Sequence, residues 1–255
     1  MSHPQNHPAL VGAAAHILVA DISGAQIELS DDAHRHFLRA LRLRAGEVVT
    51  VTDGRGAWRR AVVPNTFAAE PLVEPTDAVQ VLEPPKNRIA LGIAVPKGDK
   101  PELVVQKLTE LGVDEIVFFH GDHSVARWNA DKVLRNLERL RSVATEALQQ
   151  SRGAFLPTLG WLPDLAGHIR HRNGAGGEAA ERRVLRADVG GEAPQLFADQ
   201  LILVGPEGGW SGREKDLGKA VSLGQSVLRA ETAAVIAGGL WVGMRSGLIR
   251  QTGPG

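Results

Sequence analysis

Four apolar residues, Leu201-Ile202-Leu203-Val204, run directly into Gly205-Pro206-Glu207-Gly208-Gly209-Trp210, and Ser211-Gly-Arg-Glu214 follows at once. The apolar run has strand length, and Ser211 and Glu214 have the Ser-x-x-Glu spacing that caps a helix start. A buried strand that ends in a glycine turn at a helix start is where open α/β sheets hold ligands. Glycine permits positive φ and close approach of backbone to a bound molecule. An ordinary strand-to-helix turn does not need three glycines, a proline and a carboxylate together.

A chain of 255 residues is long enough for two modest domains or one large one. It divides near Glu83-Pro84-Pro85-Lys86-Asn87. Before that break, strands are expected at Ile17–Ala20, Ala25–Leu29, Glu47–Thr52 and Trp58–Val63, with turns such as Asp53-Gly54-Arg55-Gly56, a pattern suited to a small β-barrel. One helix, Asp31 to about Leu43, interrupts them, with Ser30 as its cap. After the break strands alternate with helices, as in an α/β sheet. Strands are expected at Arg88–Val95, Glu115–His120, Val184–Ala187, Gln200–Val204 and Ser226–Leu228. Helices are expected at Pro101–Leu111, Ala130–Gln150, Ser211–Val221 and Glu231–Ser246, and the Gly-rich stretch His171–Arg183 reads as a surface loop. The last helix holds many small residues, which points to close backbone packing.

The 29 basic and 29 acidic residues balance, so any polyanion must be met by local patches. One patch stands out. Arg35, Arg39 and Arg42 recur at i, i+4 and i+7, a spacing that places three guanidiniums on one helix face. Such a face suits a phosphate backbone, or is simply solvated. With no cysteine there are no disulfides and no thiolate metal sites. The pairs His34/His36 and His120/His123 lack carboxylates at ligand spacing, so no metal is expected. No apolar run reaches membrane-spanning length and no signal-peptide pattern opens the chain, so a cytoplasmic protein without membrane attachment is expected. Dinucleotide, P-loop and Gly-x-Ser-x-Gly motifs are absent from the sequence.

A second cluster, Leu223-Gly224-Gln-Ser-Val-Leu228-Arg229-Ala230-Glu231-Thr232-Ala233, resembles the "L-G-x-x-x-L-R-x-E-T-A" signature of the RsmE family. These are SPOUT-class methyltransferases that modify uridine N3 in small-subunit rRNA. Gly205–Gly209 is similar to the same family's "G-P-E-G-G" motif. Lys97-Gly98-Asp99-Lys100, Gln106-Lys107 and Glu110-Leu111-Gly112-Val113 resemble a third block. The resemblance implies a PUA-like RNA-binding β-barrel domain over residues 1–83 and a SPOUT α/β methyltransferase domain with a deep trefoil knot over 88–255. It implies S-adenosylmethionine as cofactor, 16S rRNA in the small ribosomal subunit as substrate, and a homodimer.

By the same resemblance, the cofactor residues are Leu203, Val204, Gly205, Glu207, Gly208, Gly209, Leu223, Gly224, Leu228, Arg229, Thr232 and Ala233. Glu231 is the candidate proton acceptor and Arg229 the candidate for stabilising the uracil oxygens. Their alternative is a helix-start carboxylate with its ion-pair partner. RNA contacts are assigned to Arg35, Arg39, Arg42, Lys97, Lys100, Lys107, Arg127 and Arg152. The chain departs from the family pattern at His16-Ile17-Leu18-Val19, where an arginine and aromatics are usual, and at Gln149, which stands in place of a glutamate. Two rival readings stay open. Another RNA position, a ribose 2′-hydroxyl or a tRNA base, could be the acceptor, or the chain could be a non-catalytic RNA-binding assembly protein.

Overall fold

The computed structural model describes residues 7–67, 69–174 and 182–250. They fall into two compact units: residues up to Pro84 with Thr145–Leu156, and Pro85–Ala144 with the chain from Pro157 on.

The first unit contains strands β1 (Ala15–Leu18), β2 (Ile27–Glu28), β3 (Val48–Thr52), β4 (Ala57–Val62), β5 (Leu72–Pro75) and β6 (Gln80–Val81). They form one sheet in the order β1-β3-β4-β5-β2, with β6 on β4. Its core is aliphatic, built on Ile17, Ile27, Val49, Val51 and Val73, and closed by Phe37. β5 and β6 were not expected from the sequence, because their prolines and few residues hide the alternation.

Helix α1 starts as expected, with the Ser30 hydroxyl accepting the Ala33 N–H at 3.2 Å. It is α-helical only over Asp31–His36; Phe37–Leu41 then widens into a π-turn, and Arg42 takes a left-handed φ of 52°. An α-helical face therefore does not run through Arg35, Arg39 and Arg42, although all three are exposed. The helix yields because burying Phe37 and Leu43 fixes the path of the chain, and Leu43 N–H bonds back to the Phe37 carbonyl at 3.2 Å.

The departures from the family pattern lie in this unit. His16 is 2% exposed; its Nε2–H donates to the Gly153 carbonyl and its Nδ1 accepts from the Thr50 hydroxyl, both at 2.8 Å. The Gln149 Oε1 atom accepts the Leu18 N–H at 3.1 Å. Two amide or imidazole groups thus satisfy buried backbone without carrying charge.

The second unit is a parallel sheet of β7 (Arg88–Ala94), β8 (Glu115–Phe119), β9 (Thr158–Leu162), β10 (Arg183–Glu192), β11 (Asp199–Val204) and β12 (Lys219–Val221). Its order is β12-β10-β11-β7-β8-β9. Helices α2 (Lys100–Leu111), α3 (Ala130–Ser151), α4 (Leu165–Gly174) and α5 (Ala230–Arg245) complete the elements; α3 belongs to this unit as far as Ala144. Both faces of the central strands are buried, which is why they read as unbroken apolar runs. On one face Ala90, Leu201, Leu203 and Phe119 pack against Leu165 and Ile169 of α4. α5 packs on α2 so closely that a Cβ on Gly238 would lie 2.5 Å from Leu108. Its small residues are thus explained by packing.

Three expectations fail here. Ser211–Val221 is not a helix but a single 3-10 turn, Glu214–Asp216, followed by strand β12. The capping box does form, with Ser211 N–H on Glu214 Oε2 at 2.8 Å and Glu214 N–H on Ser211 Oγ at 3.4 Å. The chain then reaches Gly218, where a Cβ would sit 2.9 Å from Val184, and pairs with β10 instead of continuing a helix. Ser226–Leu228 is loop, because β12 has already filled that edge position. The loop expected at His171–Arg183 is partly helix, since α4 runs to Gly174, and β10 begins at Arg183; residues 175–181 lie outside the described residues. Strand β9 was missed, its five residues interrupted by Gly160.

Burial holds the His16 pKa down to about 4, against the Gly153 hydrogen bond, which raises it, and with nearby Arg152 adding to the depression. The folded protein keeps this imidazole neutral while the unfolded chain protonates it below pH 6.5. Stability should therefore fall as pH drops from 6.5 to 4 and change no further below that. A shift of this size corresponds to about 3 kcal/mol. Denaturant midpoints of the protein and of His16→Gln across pH 4–8 check it: their difference should shrink as pH falls, and a pH-independent difference would contradict it.

Candidate functional site

The strand order reverses between β11 and β7. From β7 the chain proceeds outward to β8 and β9, whereas from β11 it crosses the other way, past β10, to β12. At such a reversal, loops leaving the carboxyl ends of adjacent strands part and leave a crevice. Val204↔Ile93 is the last pair of that register, so Gly205–Gly209 and Lys97–Lys100 emerge side by side.

A cavity of about 170 Å³ opens there, lined by the turn, by Ala187–Val189 of β10, by the Leu223–Leu228 loop and by the start of α5. Of the residues expected at the cofactor, Val204, Gly205, Glu207, Gly209, Leu223, Gly224, Leu228 and Ala233 line it. Four expected residues do not line it. Leu203 faces the α4 side of the sheet, Gly208 backs onto His123, Arg229 is the N-cap residue of α5, and Thr232 is exposed. Sequence reasoning missed Asp188, Trp210 and Val227. Trp210 directly follows the glycines and was within reach of the motif; Asp188 and Val227 carry no local signal.

The cavity wall is mainly backbone. Gly209 has φ +75° and Gly224 φ +137°, and at both a Cβ would meet no neighbour. A side chain at either position would thus be strained and would project into open space, so the backbone is left bare beside the cavity. Trp210 stands behind the turn: its indole N–H donates to the Ala187 carbonyl at 2.9 Å, and its ring stacks on Phe119 with centroids 6.3 Å apart. A Cβ at Gly205 would lie 2.8 Å from that ring. Beneath it the buried Arg186 pairs with Asp188 and sits 5.8 Å over the Trp210 ring.

In the first turn of α5, one residue beyond the lining residue Ala230, Glu231 Oε1 pairs with Lys100 Nζ at 3.0 Å; neither of the two lines the cavity itself. Glu231 Oε2 is buried and has no hydrogen-bond partner. Burial pushes the Glu231 carboxyl up, but its own backbone N–H, Lys100 and Arg229 together outweigh burial and hold it below the usual carboxylate range. The carboxylate is therefore ionised throughout the neutral range and flanked by two cations. Glu231 is the helix-start carboxylate of the sequence's alternative, but its ion-pair partner is Lys100 and not Arg229.

The residues expected to meet RNA divide. Arg35, Arg39, Arg42, Lys97 and Arg127 are exposed. Lys107 pairs with Glu110 at 2.9 Å, and Arg152 spends its guanidinium on the Val11 and Ala13 carbonyls at 2.9 and 2.6 Å. A larger cavity, about 1130 Å³, lies beyond Glu214 between α4 and the start of β10. Its Arg182, Arg213 and Lys219 already hold Glu115 and Asp199, Asp122, and Glu192 respectively. Among the described residues no group of three or more histidines and carboxylates is placed to hold a metal ion, and no helix is long and apolar enough to cross a membrane.

Residues 83–242 match the family model of an RNA methyltransferase domain, and residues 29–64 that of an RNA methyltransferase PUA domain. The chain is 32% identical over 232 residues to the ribosomal RNA small subunit methyltransferase E of Mycobacterium bovis, covering 84% of this chain and 85% of that protein. A crystal structure described as a probable rRNA-methyltransferase from Porphyromonas gingivalis superposes with a TM-score of 0.71 at 30% identity, over 92% of this chain and all of that one. The fold is also that of a ribosomal RNA small subunit methyltransferase E from Neisseria gonorrhoeae bound to S-adenosyl methionine, with a TM-score of 0.73 at 22% identity over 92% and 97% of the two chains. The chain belongs to the ribosomal RNA small subunit methyltransferase E family.

Proposed function

We propose that this protein transfers a methyl group from S-adenosylmethionine to N3 of a uridine in 16S rRNA. The observation that carries the reading is the glycine-walled cavity at the strand-order reversal, with the ionised Glu231 next in sequence to its lining residue Ala230. The bare backbone of Gly209 and Gly224 fits a ligand that must approach the main chain closely. Family membership and the cofactor in the Neisseria gonorrhoeae relative support the choice of S-adenosylmethionine. When bound, the cofactor supplies an electrophilic methyl on a sulfonium.

The turn Gly205–Gly209 and the Leu223–Ala233 segment hold and orient it, fixing the distance and angle that an aligned displacement requires. Uridine N3 carries a weakly acidic proton, and the Glu231 carboxylate, kept ionised beside Lys100, receives it. Lys100 and Arg229 stand beside that carboxylate, where a cation stabilises the negative charge left on the uracil. Lys100 is thereby assigned to the chemistry as well as to RNA contact. Arg35, Arg39, Arg42, Lys97 and Arg127 bind backbone phosphates, and the residues 1–83 act as the RNA-binding domain. Residues 88–255 form the knotted methyltransferase domain, working as a cytoplasmic homodimer.

The reading is tested with small ribosomal subunits from a strain lacking this gene and methyl-labelled S-adenosylmethionine. Nucleoside mass spectrometry should find one 3-methyluridine in 16S rRNA. Label on a ribose hydroxyl, or only on tRNA, would contradict it. Gly208→Val should abolish the label, since its Cβ would lie 2.8 Å from the Cβ of His123.

Glu231→Gln should lower turnover by about 10²–10⁴, the usual contribution of a general base, with partial recovery at high pH. Lys100→Met removes the neighbouring cation and should raise the Glu231 pKa, so the acid limb of the pH–rate profile moves to higher pH. Near-normal turnover in a stable Gln variant would remove Glu231 from proton transfer.

A further inference from the structure

The cofactor turn is gripped from outside by the loop that follows β8. Internally, Gly205–Gly209 is closed by the Gly209 N–H on the Pro206 carbonyl at 2.9 Å, and it contains a positive φ at Gly209. Such a turn has little to fix its shape by itself. The Gly121–Ser124 loop lies against it. A Cβ on Gly121 would sit 3.0 Å from the Pro206 ring, and one on Gly208 would sit 2.8 Å from His123.

Three side chains lock this contact. His123 Nδ1 lies 3.2 and 3.1 Å from the Gly208 and Gly209 carbonyls. Carbonyls only accept, so Nδ1 carries the hydrogen and is shared between the two. Asp122 accepts from the Ser211 hydroxyl, from Arg213 Nε at 2.6 Å and from the second Arg213 nitrogen. Buried Glu214 spans both loops, taking Asp122 N–H on Oε1 at 2.9 Å and Ser211 N–H on Oε2 at 2.8 Å. Arg213 and Ser211 hold the Asp122 carboxyl far below the usual range, so it stays charged and keeps these bonds at any working pH. Ser124 Oγ in turn closes the loop on the Gly121 N–H at 2.9 Å.

We infer that Asp122 and His123 are positioning residues that preform the Gly205–Gly209 turn for S-adenosylmethionine. The inference rests on the cofactor reading above. A preformed turn spares the ligand the cost of ordering it, so losing the grip raises the dissociation constant without touching the reacting atoms. His123 needs no contact with cofactor or RNA to act. Its two carbonyl acceptors belong to the residues that flank the bare face of the turn.

Calorimetry of the full chain with S-adenosylmethionine tests this, beside methyl-transfer kinetics. His123→Ala should weaken binding about 3- to 10-fold, the loss of one neutral hydrogen bond, and Asp122→Ala about 10- to 100-fold, the loss of charged ones. The cofactor KM should rise in step while kcat at saturation holds. Asp122→Asn, which keeps an acceptor for Ser211, should recover part of the affinity. If Asp122→Ala proves unstable, His123→Ala and Asp122→Asn still decide the matter. Wild-type affinity in those variants, or a fall in kcat with KM unmoved, would overturn the positioning role alone. Absence of binding by the unaltered protein would instead overturn the cofactor reading.

Discussion

The reversal of strand order between β7 and β11 is the constraint on which the site depends. A parallel sheet buried on both faces has no free surface of its own, and its hydrogen bonds are spent within it. Only where neighbouring connections leave in opposite directions does the sheet expose backbone at its carboxyl edge. Ile93↔Val204 marks that place. The segments that leave it, Lys97–Lys100 and Gly205–Gly209, supply the ammonium paired with Glu231 and the bare turn beside the cavity.

Charge is distributed economically around this crevice. Arg182 bridges Glu115 and Asp199, and Arg245 holds Asp114 at 2.5 Å. Glu231 has one oxygen held by Lys100 and the other buried without a partner, as Glu102 has beside Arg139. The depressed pKa makes Glu231 a weaker base but keeps it ionised, and the same cations that depress it can stabilise the substrate anion.

The strand β11 and its turn were legible because burial on both faces writes an unbroken apolar run, and because the glycines, proline and carboxylate are local. The Leu223–Ala233 motif was legible by resemblance. The failures have one physical origin: local signals were overruled by tertiary contacts. The Ser211–Glu214 box caps only one turn because Glu214 also reaches Asp122 and because Gly218 must approach Val184. The arginine face of α1 is broken because burial of Phe37 and Leu43 forces a π-turn. Asp188, Asp122 and His123 were invisible as site residues. They come from loops and a strand end far away in sequence, and nothing in their own neighbourhood announces the turn they face.

The central claim is that the crevice between the β7 and β11 ends is where the cofactor sits. Hydrogen–deuterium exchange with and without saturating S-adenosylmethionine measures it directly. Protection should concentrate in Val204–Trp210 and Leu223–Ala233, with Gly121–Ser124 following. Protection confined instead to Arg182–Val184 and Arg213–Lys219, around the larger cavity, would contradict the account.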